Sequence, residues 1–242
     1  MQLDNLRQEL RGHINHEKAE FLPYFFKTGP GQYGEGDRFL GVVVPDIRKT
    51  ARAFQGIPLE EVVELLRSQW HEERMCALLI LADKYKQATN NDNGHEDERR
   101  IFDLYLSNTE YINNWDLVDL TAPDIVGRYV YEHPAEQKTL FKLAKSVHLF
   151  ERRISVISTF WFVKLGEPEP TLTIVESLLG DKEDLMHKAT GWMLREVYKR
   201  VDEGVVEQFL RTHYARLPRT ALRYAIEKMP EPKRQAFLRG EF

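Results

Sequence analysis

Apolar residues recur at three- and four-residue spacing along most of this chain, with little sustained two-residue alternation. That period predicts helices over 60–70, 73–85, 99–106, 134–146, 152–165, 185–201, 205–214 and 221–227, and hence an all-α fold. Gly56-Ile57-Pro58, Glu132-His133-Pro134, Gly166-Glu167-Pro168-Glu169-Pro170, Gly180-Asp181 and Leu217-Pro218 punctuate the segments as short connections. Pro45-Asp46 reads as another helix opening, with Arg48 and Lys49 in its first turn. These two cations either extend a basic surface or simply begin a solvated helix. The polar stretch 87–97 is expected to be a mobile surface loop. No linker divides the chain, so residues 1–242 are expected to form a single domain.

A repeat lies beneath this pattern. Similar helix openings recur as Trp70-His71-Glu72-Glu73-Arg74, Phe150-Glu151-Arg152-Arg153, Met186-His187-Lys188 and Leu217-Pro218-Arg219, each leading into an apolar helix. Arg74 and Arg153 are 79 residues apart, room for two units; Arg153 and Lys188 are 35 apart, and Lys188 and Arg219 are 31 apart. Units of that length, each a helix pair, match HEAT-type repeats, and the expected architecture is a right-handed α-solenoid. A cation near a helix N-terminus opposes the macrodipole at a cost of ~0.3–1 kcal/mol. Its recurrence at Arg74, Arg153, Lys188 and Arg219 therefore needs a reason: either a row of cations along one surface, or ion pairs between repeats with neighbours such as Glu73, Glu151 and Asp184.

Two tryptophans fall on the polar side of their helices. In Asn113-Asn114-Trp115-Asp116-Leu117-Val118-Asp119-Leu120, a step of about 100° per residue groups Trp115 with Asp119, away from Leu117 and Leu120. In Lys188-Ala189-Thr190-Gly191-Trp192-Met193-Leu194-Arg195-Glu196-Val197-Tyr198-Lys199, Trp192 shares its face with Lys188, Arg195 and Lys199, while Met193 and Val197 point elsewhere. A large aromatic among cations suits a ligand with an apolar face and negative charge, such as the sugar-phosphate of a nucleic acid.

Composition narrows the options. The 242 residues are 42% apolar, enough for a full core. The apolar run 76–82 is far short of the ~20 residues a spanning helix needs. The opening Met1-Gln2-Leu3-Asp4-Asn5 lacks the charged and apolar stretches of a signal peptide, so a cytoplasmic protein is expected. The single Cys76 excludes a disulfide scaffold and reads as an inert buried thiol rather than a nucleophile. Net charge is −4, so any nucleic-acid surface must be local. Residues 185–242 hold 12 Lys/Arg against 7 Asp/Glu, a net +5, which leaves −9 on residues 1–184.

Other motifs carry little. Gly29-Pro30-Gly31-Gln32-Tyr33-Gly34 satisfies G-x-G-x-x-G, yet no strand precedes it and no βαβ unit follows, so it reads as a glycine-rich loop. His13 and His16 are expected to share a helix face, but no further ligands complete a metal site, and neither metal nor cofactor is expected. No local signature assembles a Ser/His/Asp nucleophile.

Taken together, Pro45-Asp46-Ile47-Arg48, Trp115-Asp116-Leu117-Val118-Asp119, the Arg153 helix opening and Lys188-Ala189-Thr190-Gly191-Trp192-Met193-Leu194-Arg195-Glu196 give a chain that resembles the AlkD family of bacterial DNA alkylation repair proteins over nearly its whole length. The resemblance implies a HEAT-like DNA glycosylase with a concave basic surface, acting as a monomer on double-stranded DNA that carries alkylated purines. Trp115, Asp119 and Trp192 would form the catalytic cleft. Arg153 and Arg195 would bind the DNA backbone, joined by Lys188, Arg74, Arg219, Arg48 and Lys49. Phe25 or Phe26 stands where the family has a DNA-contacting tyrosine, and the 29–41 loop is longer here. A cationic purine already leaves readily, so the enzyme would mainly stabilise an oxocarbenium-like sugar and orient water, work suited to Asp119. Two other readings fit the same residues: a non-catalytic binder of DNA structures, and a scaffold whose tryptophans anchor protein partners.

Overall fold

The computed structural model describes residues 2–91 and 94–242, and these are helical, with short connections except for the long segment 26–43, and with no strand apart from an isolated bridge between Arg38 and Trp70. The expected all-α class is therefore what the chain adopts. Contacts divide it into two units, Met1–Ile125 and Val126–Phe242.

The first unit carries α1 (Gln2–Arg11), α2 (His16–Phe25), α3 (Val44–Ala53), α4 (Leu59–Leu66), α5 (His71–Ala88), α6 (His95–Ser107) and α7 (Trp115–Asp119). α5 is its axis. Residues 75–81 are apolar and buried on every side, which is the pattern of a helix enclosed by neighbours, and α3, α4, α6 and α7 all pack on it. The surrounding helices show the one-faced spacing expected of a covering layer: Leu3, Leu6 and Leu10 on α1, Val62, Leu65 and Leu66 on α4, Ile101, Phe102 and Tyr105 on α6. The first four residues of α5 are polar yet buried, and each has a partner. Glu73 receives Arg7 and Arg11 of α1, both at 3.4 Å. Glu72 accepts the backbone N–H groups of Leu40 (2.9 Å) and Gly41 (2.7 Å). His71 and Arg74 reach the 28–43 segment and α7. Gly41 is required in that segment: its φ is +81°, and a Cβ there would lie 2.0 Å from the Asn15 carbonyl oxygen.

The second unit carries α8 (Arg128–Glu132), α9 (Lys138–Ala144), α10 (Leu149–Ser158), α11 (Phe160–Lys164), α12 (Glu169–Ser177), α13 (Asp184–Arg200), α14 (Glu203–His213), α15 (Arg219–Ala225) and α16 (Glu231–Arg239). α9 pairs with α10, and α13 is enclosed by α10, α11, α12, α14 and α15. α13 approaches α15 closely at Gly191, where a Cβ would fall 2.4 Å from the Ala221 carbonyl oxygen and 2.6 Å from the Tyr224 Cβ. Asp202 caps α14 by accepting the N–H of Val205 at 2.8 Å, and Gly240 ends α16 in the left-handed conformation.

Several expectations need adjusting. The predicted helix 152–165 is two helices broken at Thr159, whose hydroxyl bonds back to the Val156 carbonyl at 2.6 Å. His13 and His16 do not share a helix: α1 ends at Arg11, and Asn15 caps a new helix that begins at His16. Of the supposed loop 87–97, residues 92 and 93 lie outside the described residues, while its flanks belong to α5 and α6. Among the described residues no helix is long and apolar enough to cross a membrane. Cys76 is buried, and burial pushes its thiol up to about 12, as an inert thiol requires.

Alanine in a helix interior normally stabilises relative to glycine by ~1 kcal/mol. At Gly191 the sign should reverse, because the methyl group must displace backbone. Gly191→Ala is expected to lower stability by roughly 1–3 kcal/mol in urea unfolding; a variant as stable as the parent would mean that α13 and α15 are not held in this contact.

Candidate nucleic-acid site

α7 is only five residues long and would not hold itself in shape; helices this short depend on tertiary support. That support begins with the residues before it. Asn114 is extended, its side-chain oxygen accepts the N–H of Trp115 at 2.9 Å, and its amide donates to Asp37 Oδ2 at 3.1 Å. Asn113 donates to Asp37 Oδ1 at 3.0 Å. Within the first turn, Asp116 accepts the N–H of Leu117 with one oxygen and meets His71 Nε2 at 2.8 Å with the other. The far end is pinned by Thr121, whose hydroxyl donates to the Leu117 carbonyl at 2.6 Å and lies 3.2 Å from the Tyr105 hydroxyl.

Beneath α7 sits a buried group of four charges. Asp37 Oδ2 lies 3.2 Å from His71 Nδ1, and Asp37 Oδ1 takes a short bond from Arg74, which also donates to the Ser68 carbonyl at 3.0 Å. Two carboxylates, Asp37 and Asp116, are thus faced by two cations, Arg74 and protonated His71. Burial alone would push the His71 pKa down, but Asp116 and then Asp37 hold its proton and raise it to about 9, against the opposing charge of Arg74. Burial alone would raise Asp37; the bond to His71 and the charge of Arg74 bring it instead to about 2.

Trp115 is half-buried above this group. Its ring stacks on Phe26 at 5.5 Å and meets the edge of Phe25 at 6.1 Å. Phe26 in turn stacks on Phe39 at 5.1 Å and touches His71 at 5.0 Å. One side of the indole is therefore fixed by an aromatic cluster. Phe25, Phe21 and Tyr24 continue that cluster outward along α2 as exposed aromatics, and Lys27 lies over the Tyr24 ring at 5.0 Å. Asp119, four residues after Trp115 and so on the same face of α7, is half-buried; burial pushes the Tyr105 hydroxyl pKa up, the bond to Thr121 opposes it, and the Asp119 charge adds to the rise. Arg48 lines a small recess of about 90 Å³ with Arg52, Asp83, Leu120 and Asp124, beside the end of α7. Lys49 is exposed on α3.

In the second unit, Trp192 is half-buried on α13. Its indole N–H donates to Glu196 at 3.3 Å, and its ring tilts against Phe160 at 6.3 Å. Burial would raise the Glu196 pKa, but Arg200 and Lys199 lower it. Arg195 makes a short ion pair with Glu227, and Lys188 pairs with Asp184 at 2.8 Å.

The row of helix-opening cations divides. Arg74 and Arg153 are buried, and each reaches into a neighbouring segment: Arg74 to Asp37, Arg153 to the Leu185 carbonyl at 2.7 Å. Placed so, both side chains, expected from the sequence at a DNA backbone, are engaged in contacts of the interior. Of the neighbours named for ion pairing, Glu73 is taken by α1 and Asp184 pairs with Lys188 at 2.8 Å, while the partners of Arg74 and Arg153 include a loop aspartate and a main-chain oxygen. Lys188 is partly exposed and Arg219 is exposed, the latter donating to the Leu238 carbonyl at 2.9 Å. Sequence reading missed Asp37, His71 and Asp116. Asp37 lies 77 residues from Asn114 in a loop that reads only as glycine-rich, so no local signal marks it.

Comparison with known proteins follows the same direction. The family described as DNA alkylation repair enzyme matches residues 6–229. The solved structure of a predicted DNA alkylation repair enzyme from Enterococcus faecalis superposes with a TM-score of 0.68 at 16% identity, covering 90% of this chain and 98% of that one, a likeness of fold. No curated protein matches in sequence.

The four-charge group makes stability depend on pH. His71 is raised, so its contribution is complete below its unfolded value near 6.5 and is lost as pH climbs through about 9; Asp37 is depressed, so its contribution is complete above about 3.8 and is lost as pH falls toward 2. Urea unfolding between pH 6.5 and 9 is expected to show declining stability that His71→Gln flattens. Parallel slopes in parent and variant would contradict the assignment.

Proposed function

Because the chain belongs to the family of DNA alkylation repair enzymes, we propose that within DNA alkylation repair it hydrolyses the N-glycosidic bond of cationic purines, such as 3-alkyladenine and 7-alkylguanine, in duplex DNA. The observation that carries this reading is the pairing of Asp119 with Trp115 on one face of a short, firmly anchored helix beside an exposed aromatic strip. A cationic base needs no general acid to leave. What it needs is compensation of the positive charge that develops on the sugar, and a positioned water. Asp119 would supply the negative charge and orient or deprotonate the water that attacks C1′. Trp115 would hold the deoxyribose against its π face, a contact of ~0.5–2 kcal/mol that grows with the charge. Trp192 is proposed as its counterpart on the sequence resemblance.

Such a site would need no deep base pocket, so the leaving group's lability would set the substrate range and bulky adducts would be tolerated. Phosphate contacts would come from Lys49, Lys188 and Arg219 and from the partly buried Arg48 and Arg195, and Phe25 would lie against the DNA beside Trp115. A monomer suffices for this chemistry.

Asp119→Asn is expected to retain DNA binding while release of 7-methylguanine from alkylated duplex falls by at least ~10-fold. Equal release by parent and variant would remove Asp119 from the reaction, and no release by either would leave a binder of DNA structures. Lys188→Ala is expected to weaken binding to all duplex sequences alike and to reduce the slope of log affinity against log salt by ~1. Arg153→Ala, by contrast, should act through unfolding: a buried side chain that ties α10 to the first turn of α13 is lost, and stability rather than salt dependence should drop, by ~1–3 kcal/mol in urea titration.

A further inference from the structure

The four-charge group has a cost that packing does not explain. Buried ion pairs seldom stabilise more than apolar residues of the same volume would, and here the Asp37 carboxylate, an imidazole and a guanidinium are withdrawn from water, with the Asp116 carboxylate largely covered beside them. The geometry shows what the arrangement holds. Through Asp37 it holds Asn113 and Asn114, and through His71 it holds its own member Asp116, so both residues flanking Trp115 are gripped. On the other side it is rooted in α5, the most enclosed helix of the unit.

We infer that Asp37, His71 and Asp116 are positioning residues, a buried relay that fixes the first turn of α7 and thereby the direction in which Trp115 and Asp119 face their ligand. The physical reason is geometric. A five-residue helix has one intrahelical turn, so its orientation is set by what grips its N-terminus. Asp37 grips through two asparagine amides, and Asp116 grips through an imidazole whose ring is itself held by Phe26 and Phe39. An imidazolium donates from both nitrogens and so ties the two carboxylates together. Neutral imidazole donates from one only and turns a lone pair toward the other carboxylate. The charged groups facing His71 are Asp37 from the 28–43 loop, Asp116 from α7 and Arg74 from its own helix, so loss of the proton leaves two carboxylates opposed by one cation. The anchoring of α7 then loosens on one side while the core of α5 is unaltered.

This inference rests on the proposed role of Trp115 and Asp119, and its test separates the two. The full-length protein is labelled with 5-fluorotryptophan, and the Trp115 resonance is identified among the four tryptophans by Trp115→Phe. Between pH 7 and 10.5 that resonance is expected to shift with a midpoint near 9, and His71→Gln to abolish the shift. In parallel, Asp116→Asn is expected to slow single-turnover release of 7-methylguanine about tenfold while duplex affinity stays within about twofold, the signature of misdirected groups rather than lost binding. A flat resonance in the parent, an unchanged step in His71→Gln, or an unchanged release rate in Asp116→Asn overturns the inference. If His71→Gln fails to fold, the parent titration alone decides. If the parent releases no base, the functional reading fails while the resonance still reports whether the relay positions α7.

Discussion

A single buried carboxylate organises the first half of this molecule. A carboxylate offers about four acceptor positions, and on Asp37 they are met by Arg74, Asn113, Asn114 and His71. Those four donors come from α5 and from the approach to α7, while Asp37 itself comes from the loop after α2. Three stretches of chain, far apart in sequence, are thus joined at one point. Fully satisfied networks of this kind specify one arrangement because any partial version strands a charge in a poor dielectric. That requirement also explains why the glycine-rich loop has the conformation it has. Gly34 sits where a Cβ would be 2.5 Å from the Phe26 carbonyl oxygen, so the loop can fold back tightly enough to deliver Asp37.

The same half of the molecule supplies the candidate chemistry, and its two faces have opposite character. On one side lie the buried charges of Asp37, His71 and Arg74; on the other lie aromatics with solvent, from Trp115 through Phe25 to Phe21 and Tyr24. The aspartate proposed to act on the sugar stands at the end of the helix away from the four-charge group. Its charge adds to burial in raising the Tyr105 hydroxyl pKa.

Cations at helix openings turned out to have more than one use. In the second unit, Arg152 grips Asp181 and the carbonyls of Ser146 and Val147, and Arg153 reaches the first turn of α13. These contacts tie one helix pair to the next, which accounts for a recurring positive charge against the helix dipole without any ligand. Lys188 and Arg219, at comparable openings, stay nearer the surface. One sequence pattern therefore covers both structural staples and surface cations, and spacing alone does not distinguish them.

Periodicity was sufficient for the class of fold, for the enclosed axis of α5 and for the grouping of Trp115 with Asp119, because each depends on the helical turn and on which positions are apolar, both local properties. It was insufficient for α2, α12 and α16, whose weaker apolar faces become helices through their neighbours, and for the break at Thr159, which a hydroxyl bond decides. It could not reveal that Arg74 and Arg153 are withdrawn into the interior, nor that Asp37, His71 and Asp116 belong to one group. Burial and pairing of charge depend on which segments meet, and the meeting of Asp37 with Asn114 across 77 residues is written in no window of sequence; only the folded chain brings those atoms within hydrogen-bonding distance.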